Sequence, residues 1–564
     1  MISDSGFASL SDPDWAGADQ LSPNLPSYNR RIARKRSFIF LAFLLVVAFL
    51  SLFHGDNGAL LLRPLRPAPG GEAAWPQAQP LVSPDGACAN AAAASQDSLS
   101  KGSLEPEYCT TWPVDSEGKY APQSQPESKG EQKLWLDTFA PAGGWQKPRG
   151  LKVVAVVFYG RKRNVDILDC YLQQNLASNG GYLDDVWFMV HTQDAEDVAW
   201  LKDFVEKDPL YKFVGLGSCA AEKTYGCIWD HVTEKDTLYI KIDDDILYIH
   251  HDTIPQLVHT RLAQPHPYAI SAQLVNSPVT GLQQYHYGAI HPFLPDPQPH
   301  PTRNASALWR PSQFGPYPTS APALCGSPLD VAPPYRGHPW LLVSDDNSGS
   351  TAALTRTPLG QWSTHPGGEP VAFGPGWTSW AAAAQQLYSL LYNLERNQMH
   401  VYHFGRALTY ATRDPADDGS HSYYSTDGHY HRHAHQRYAS PCGDRSDSRV
   451  EDAHAYSGPG GEQLYDTQYE RYNLNFVAVW GRDVALALPI VGDDEAEMTA
   501  EVPLRLGRPF VVDTRAVVGH LSFYTQQAGV GQTDLMDRWR AFANENVCLA
   551  DNQKGPWDAR CEGF

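Results

Sequence analysis

LKVVAVVFYGRKRNVDILDCYLQQNLASNGGYLDDVWFMVH, residues 151–191, carries the periodicities that set the fold. LKVVAVVFY is a strand-like run ending at Gly160. Val165, Leu168, Leu172 and Leu176 then share one helical face, and Gly180-Gly181 stops that helix. VWFMVH (186–191) follows as a second strand. Further on, Val198, Leu201 and Val205 mark a helix that Pro209 ends, and YKFVGL (211–216) is a third strand. A short helical stretch near Thr224–Val232 leads into TLYIKI (237–242) and then Asp243-Asp244-Asp245. Strands alternating with helices of this length predict an α/β fold, Rossmann-type, with a mostly parallel, doubly wound central sheet. Ligands in such sheets sit beyond the carboxyl ends of the strands. Phe158–Arg163 and the three aspartates both occupy that position.

The rest of the chain is less regular. Residues 292–376 are dense in Pro and Gly and read as a long irregular insertion in a domain that runs from 149 to 564. Ser379–Glu395 is helical, with Trp380, Leu387, Leu390, Leu391 and Leu394 as its apolar stripe. A loop rich in histidine follows. His421, His429, His431, His433 and His435 could hold Zn²⁺ or respond to pH, but their Tyr, Gly, Ser and Asp neighbours point to a flexible polar loop. NFVAVWG (475–481) is a strand, a helix from about Ala496 ends at Gly507, and PFVVDT (509–514) and AVVGH (516–520) close the pattern.

Topology is read from the N-terminus. Phe38–Phe53 is FIFLAFLLVVAFLSLF, uncharged and preceded by Arg30, Arg31, Arg34, Lys35 and Arg36. Sixteen helical residues span roughly 24 Å, so flanking residues must join the span in a bilayer core of about 27 Å. The basic cluster holds residues 1–37 in the cytosol, which makes 38–53 a transmembrane signal-anchor and everything beyond it lumenal. Residues 54–148, rich in Pro, Ala, Gly, Ser and Gln, read as a flexible, disordered stem. A buried helix or a cleaved signal are the competing readings of 38–53. The chain's nine cysteines suit an oxidising compartment, and an odd count leaves at least one unpaired. Cys548 with Cys561, and Cys88 with Cys109, are the expected local pairs. Asn304-Ala305-Ser306 is a glycosylation sequon. The formal net charge of −19 excludes nucleic acid as an expected partner.

YIKIDDDILYI is the sharpest chemical feature. Alternation along an extended chain would put Asp243 and Asp245 on one face. Paired carboxylates at a strand end suit a hard cation such as Mn²⁺ or Mg²⁺, which would neutralise a diphosphate leaving group. A solvated acidic turn is the plainer alternative. Asp493-Asp494-Glu495 precedes a helix, where a carboxylate is held ionised and could take a proton. Ordinary helix capping competes with that role. Arg161, Lys162 and Arg163 could meet phosphates, or simply be solvated.

With these stretches together, residues from about 151 to 546 resemble GT-A glycosyltransferases, and in particular largely uncharacterised fungal type II membrane proteins. VVFYGRKRNVDILDCYL, LYIKIDDDILYI, NFVAVWG, GDDEAEMTAEVPLRLGRPFVVDT and AVVGHLSF carry the resemblance. It implies that Phe158, Tyr159, Gly160 and Arg161 meet the base and ribose of a nucleotide. It implies that Asp243 and Asp245 hold the metal and diphosphate, with His520 completing the metal shell. It places the catalytic base in the 493–495 cluster, where Asp494 comes first, Glu495 second and Asp493 third. The family's acidic pair is a Glu-Asp, so Asp-Asp-Glu leaves the assignment among the three open.

The implied activity is metal-dependent, inverting transfer of a sugar from a nucleotide-diphosphate donor to a hydroxyl of a glycan, glycoprotein or glycolipid, in the Golgi or ER membrane. A non-catalytic sugar-binding scaffold of the same fold and a metal-dependent lumenal hydrolase remain the other readings.

Overall fold

A computed structural model of the chain describes residues 110–111, 136–221, 224–298, 303–304, 316–318, 331–343, 350–364, 375–405 and 463–555. All belong to one contact unit, Gln77–Phe564; the other, Met1–Pro76, lies outside the described residues. The 1–37 tail, the 38–53 span, most of the expected stem and the histidine-rich loop therefore lie outside them too. Among the described residues no helix is long and apolar enough to cross a membrane.

The strand-like run becomes β1 (Lys152–Tyr159), buried along nearly its whole length. The helix α1 (Lys162–Asn175) follows, then β2 (Asp185–Val190), α2 (Ala195–Val205) and β3 (Tyr211–Gly215). A 3-10 turn at Gly226–His231 leads to β4 (Thr237–Asp243), which joins β5 (Ile246–Ile249) through a turn at Asp244 and Asp245. Then come α3 (Thr253–Ala263), β6 (Ala269–Val275), the buried helix α4 (Trp380–Glu395) and β7 (Leu464–Asp466). The last elements are β8 (Phe476–Trp480), β9 (Phe510–His520) and α5 (Leu535–Asn546).

The nine-stranded sheet has the order β7-β9-β6-β8-β4-β1-β2-β3, with β5 on β9. β3, β2, β1 and β4 are parallel, and β6 and β9 are parallel to each other. β8 lies between β4 and β6 and runs against both, so the sheet is mixed, although most strands share one direction. An apolar run does not encode its direction, and the antiparallel strands were invisible for that reason. The order reverses between β1 and β4. That reversal is a topological switch point, where sheets of this kind bind ligands.

Several expectations change. The helix after residue 493 begins at Asp494 and contains a π turn at Glu497–Glu501, and Phe510–His520 forms one strand, with a register shift between Asp513 and Val517. The 292–376 stretch is partly regular: Phe293–Pro295 pairs with Trp340–Leu342, and short helices occupy Ser350–Thr355 and Pro358–Thr364. Cys548 bonds Cys170, not Cys561, and ties α1 to the end of α5, while Cys219 bonds Cys227. Proximity in sequence was the wrong guide, because α1 and the chain's end meet only in the fold.

The stem does not reach 148. The chain joins the domain from Leu136, because the fully buried Asp252 at the start of α3 accepts three hydrogen bonds from it. These come from Thr138 Oγ1 (2.9 Å), Phe139 N (2.6 Å) and Trp145 Nε1 (2.6 Å). Asp252→Ala in the full chain would leave a partly buried N–H and an indole donor without their acceptor. It is expected to cost about 3 kcal/mol in urea unfolding. An unchanged midpoint would contradict this boundary.

Candidate active site

The switch point is held together by the middle aspartate. α1 has no side-chain cap of its own. Its unsatisfied N–H groups are taken from outside: Asp244 Oδ2 accepts Gly160 N (2.9 Å) and Arg161 N (2.7 Å), and Asp197 Oδ1 accepts Lys162 N (3.1 Å). Asp244 also binds the Arg161 guanidinium, with Nη2 to Oδ1 at 2.6 Å. A Cβ at Gly160 would come within 3.3 Å of that carboxylate, so the strand end must stay small. Asp244 thus pins the end of β1 to the end of β4.

Its neighbours line the site. Asp243 accepts from Asn475 Nδ2 (2.7 Å) through Oδ2 and pairs with Lys241 through Oδ1. The β4–β8 register sets Phe476 opposite Ile242, which leaves Asn475 beside Asp243. Burial pushes the Asp243 carboxyl up to about 7, against the pull of Lys241. Burial also raises Asp244, with Arg161 opposing. At Asp245 burial is outweighed by His520 and then Arg161, which hold it below the usual carboxylate range. Asp244 and Asp245 form a turn and not a continuing strand, so the alternation expected to set Asp243 and Asp245 on one face does not apply.

His520 ends β9 opposite Ile246, after a register shift at Gly519 that re-aims it. Its Nδ1 lies 3.3 Å from Asn276 O, a carbonyl that can only accept, so Nδ1 carries the proton. Nε2 then faces Asp245 Oδ1 at 3.4 Å. That buried carboxylate oxygen has no hydrogen-bond partner. The arrangement calls for positive charge between the two atoms. A proton on His520 can supply it, and Asp245 does raise the histidine's pKa against burial. So can a metal ion. Four carboxylates, Asp243, Asp244, Asp245 and Asp494, lie near Arg161, Lys241 and His520 here. Asp245 and His520 meet here, with the imidazole's other nitrogen already anchored, and such a pair suits Mn²⁺ or Mg²⁺; the donor atoms of Asp243, Asp245 and His520 are not all gathered within 4.8 Å of one another.

The three acidic residues of 493–495 do different things. Asp493 is the N-cap, accepting from Glu495 N (3.1 Å) and Ala496 N (3.3 Å), and it pairs with Arg471. Glu495 accepts from Arg471 Nε (3.0 Å) and Leu474 N (3.4 Å). Asp494 turns inward, accepting from Trp229 Nε1 (3.1 Å); burial raises its pKa, with Lys241 and that hydrogen bond opposing.

Of the four nucleotide-facing residues expected at the β1 end, the structure puts three at the site. Phe158 packs edge-on against Trp229 (5.4 Å), carries Lys241 Nζ over its ring (4.6 Å) and lies stacked with the exposed Tyr225 (6.4 Å). Gly160 and Arg161 hold Asp244, and the Arg161 side chain remains 41% exposed and so open to a ligand. Tyr159 does not join them. It is fully buried, its hydroxyl donates to Asp197 O (2.8 Å) and its ring stacks on Trp200, because alternation along β1 turns it to the opposite face. Lys162 pairs with Glu196 on α2, away from the aspartates.

Asp244 was given no role of its own within the triplet, and Lys241, Asn475, Trp229 and Tyr225 were not singled out from sequence. Only Lys241 left a signal, a charge in a strand interior two residues before Asp243. The clusters of three metal-type ligands among the described residues lie elsewhere, and both are already engaged. His191 lies by Cys219 and Cys227, which are bonded to each other; His250 and His251 adjoin Asp252, whose oxygens are already taken.

No family model matches this chain, and no curated protein matches it. Among solved structures, it is similar to 4-diphosphocytidyl-2C-methyl-D-erythritol synthase from Anaerococcus prevotii, at 14% identity and a TM-score of 0.18. That match spans 22% of this chain and 56% of the synthase, an overlap too small to carry any inference about activity.

Proposed function

We propose that the chain is a metal-dependent glycosyltransferase of GT-A type, moving a sugar from a nucleotide-diphosphate donor to an acceptor hydroxyl with inversion. The observation that carries this reading is the buried contact of Asp245 Oδ1 with His520 Nε2 (3.4 Å) at the switch point. Asp243, Asp245 and His520 would hold Mn²⁺ or Mg²⁺. When bound, that ion would neutralise the departing diphosphate. Arg161, anchored by Asp244 but partly exposed, adds positive charge at the β1 end. Phe158 and Tyr225 offer aromatic surface for a base.

Asp494 takes the acceptor proton. The acceptor oxygen bonds the anomeric carbon, the bond from that carbon to the diphosphate breaks, and its electron pair leaves with the nucleotide. A base whose pKa is raised by burial, with Lys241 and the Trp229 hydrogen bond opposing, suits this step.

The same reading places the protein as a single-pass type II membrane protein of the Golgi or ER, anchored by residues 38–53, with a glycan, glycoprotein or glycolipid as acceptor. The two disulfides among the described residues support an oxidising, lumenal setting. The resemblance to fungal type II proteins belongs to this proposal as well.

The test is a thermal-shift screen of the purified full chain with UDP-, GDP- and CMP-linked sugars, with and without Mn²⁺. At a hundred times its Kd, a ligand should stabilise the fold by about 2.7 kcal/mol. Stabilisation by one nucleotide class only when Mn²⁺ is present is expected. No shift with any of them would sink the proposal.

A further inference from the structure

Tyr524 is 72% exposed, among the most exposed large apolar side chains of the described chain. It lies 5.5 Å from Trp377 in edge contact, and Trp377 lies 4.6 Å from Phe523, which in turn packs on His520 at 4.5 Å. A chain of ring contacts thus runs from exposed Tyr524 through partly buried Trp377 and buried Phe523 to His520.

This surface is built rigidly. Buried Gln526 donates through Nε2 to Gly376 O (2.8 Å) and Ser379 O (3.3 Å), while its Oε1 accepts Phe523 N (3.1 Å). Thr525 Oγ1 donates to Trp377 O. Asn276 Nδ2 reaches His520 O (3.3 Å), Leu521 O (3.2 Å) and Gln526 Oε1 (3.0 Å), and Leu521 N donates to Asp245 O (2.9 Å). Two buried amides therefore lock the 376–379 and 520–526 segments together and to Asp245. Tyr524 and the partly buried Trp377 thus present aromatic surface on a fixed frame, as a preorganised binding site requires.

We propose that Tyr524 and Trp377, backed by the buried Phe523, form an acceptor platform that stacks on the apolar C–H face of a pyranose ring. The identification of that ring as an acceptor rests on the glycosyltransferase reading above. A pyranose presents its axial hydrogens, partly positive, on one face and its hydroxyls around the rim. Such a face matches the negative face of an aromatic ring, and a hydroxylated ring is what the neighbouring chemistry consumes. The platform's contact with His520 sets the ring next to the reacting centre, which a platform elsewhere on the surface would not do.

Saturation-transfer NMR on the full chain tests this with methyl α-mannopyranoside, methyl β-galactopyranoside, methyl β-glucopyranoside and methyl β-N-acetylglucosaminide, with sorbitol as an acyclic control. At least one glycoside should receive saturation at its axial ring protons, and sorbitol should not. Tyr524→Ser should weaken that glycoside about tenfold, and Tyr524→Phe should retain it. Saturation of no glycoside, or an unchanged affinity in Tyr524→Ser, would overturn the proposal. So would self-association of the wild-type chain that Tyr524→Ser abolishes without any glycoside effect, since a second copy would then own the surface. If glycosides bind but no nucleotide sugar does, the platform stands as a carbohydrate surface and the transferase reading falls. If nucleotide sugars bind with Mn²⁺ but glycosides ignore Tyr524, only the platform falls.

Discussion

Asp245→Asn is expected to lower sugar transfer on the order of 10³-fold while leaving the fold as stable as before. The two halves of that statement come from the same geometry. Asp245 Oδ2 accepts from Arg161 Nη2 at 3.0 Å, and Oδ1 faces His520 Nε2 at 3.4 Å. An asparagine can keep the first contact with its carbonyl and offer its amide N–H to His520, so it satisfies both neighbours. It cannot supply the charge that holds a hard cation and, through it, the departing diphosphate. Initial rates and urea midpoints of the two proteins check the prediction. Near-normal turnover would remove this carboxylate from the chemistry, and a collapse in stability would mean that Asp245 is structural.

Asp494→Asn should depress turnover by about 10²- to 10⁴-fold with little change in donor affinity, since this group acts on the acceptor. The structure sharpens the comparison with its neighbours. Capping belongs to Asp493, so the helix start is preserved in the variant, and an asparagine carbonyl can still accept the Trp229 indole N–H. Glu495→Gln should instead weaken the Arg471 contact and lower stability slightly, by about 1 kcal/mol, with turnover near normal. Equal rates for Asp494→Asn and wild type would leave inversion without a base.

Much of this arrangement was legible in the sequence because its signals are local. The apolar run at 152–159, the spacing of Val165, Leu168 and Leu172, and the acid triplet at the end of TLYIKI each declare an element or a ligand type from a few neighbouring residues. His520 was legible only through the resemblance, since nothing local distinguishes it from any histidine after a strand.

The features that escaped are those made by residues distant in sequence. Asp244 pairs with Gly160 and Arg161, Asn475 reaches Asp243 through the β4–β8 register, and Cys170 finds Cys548 across the domain. The polar composition before residue 149 pointed to a stem, yet single residues such as Trp145 and Thr138 suffice to fasten its end to Asp252. Tyr159 was assigned with its neighbours by position in a motif, where the two-residue period of the strand should have separated it from Phe158.

Electron paramagnetic resonance of Mn²⁺ bound to the full chain tests the central claim most directly, since it needs neither donor nor acceptor. One site per chain is expected, with electron-spin-echo modulation from a single imidazole nitrogen that disappears in His520→Gln. Binding should weaken by at least about tenfold in Asp245→Asn. Mn²⁺ that does not bind, or that binds without nitrogen coupling and without regard to either substitution, would contradict the account.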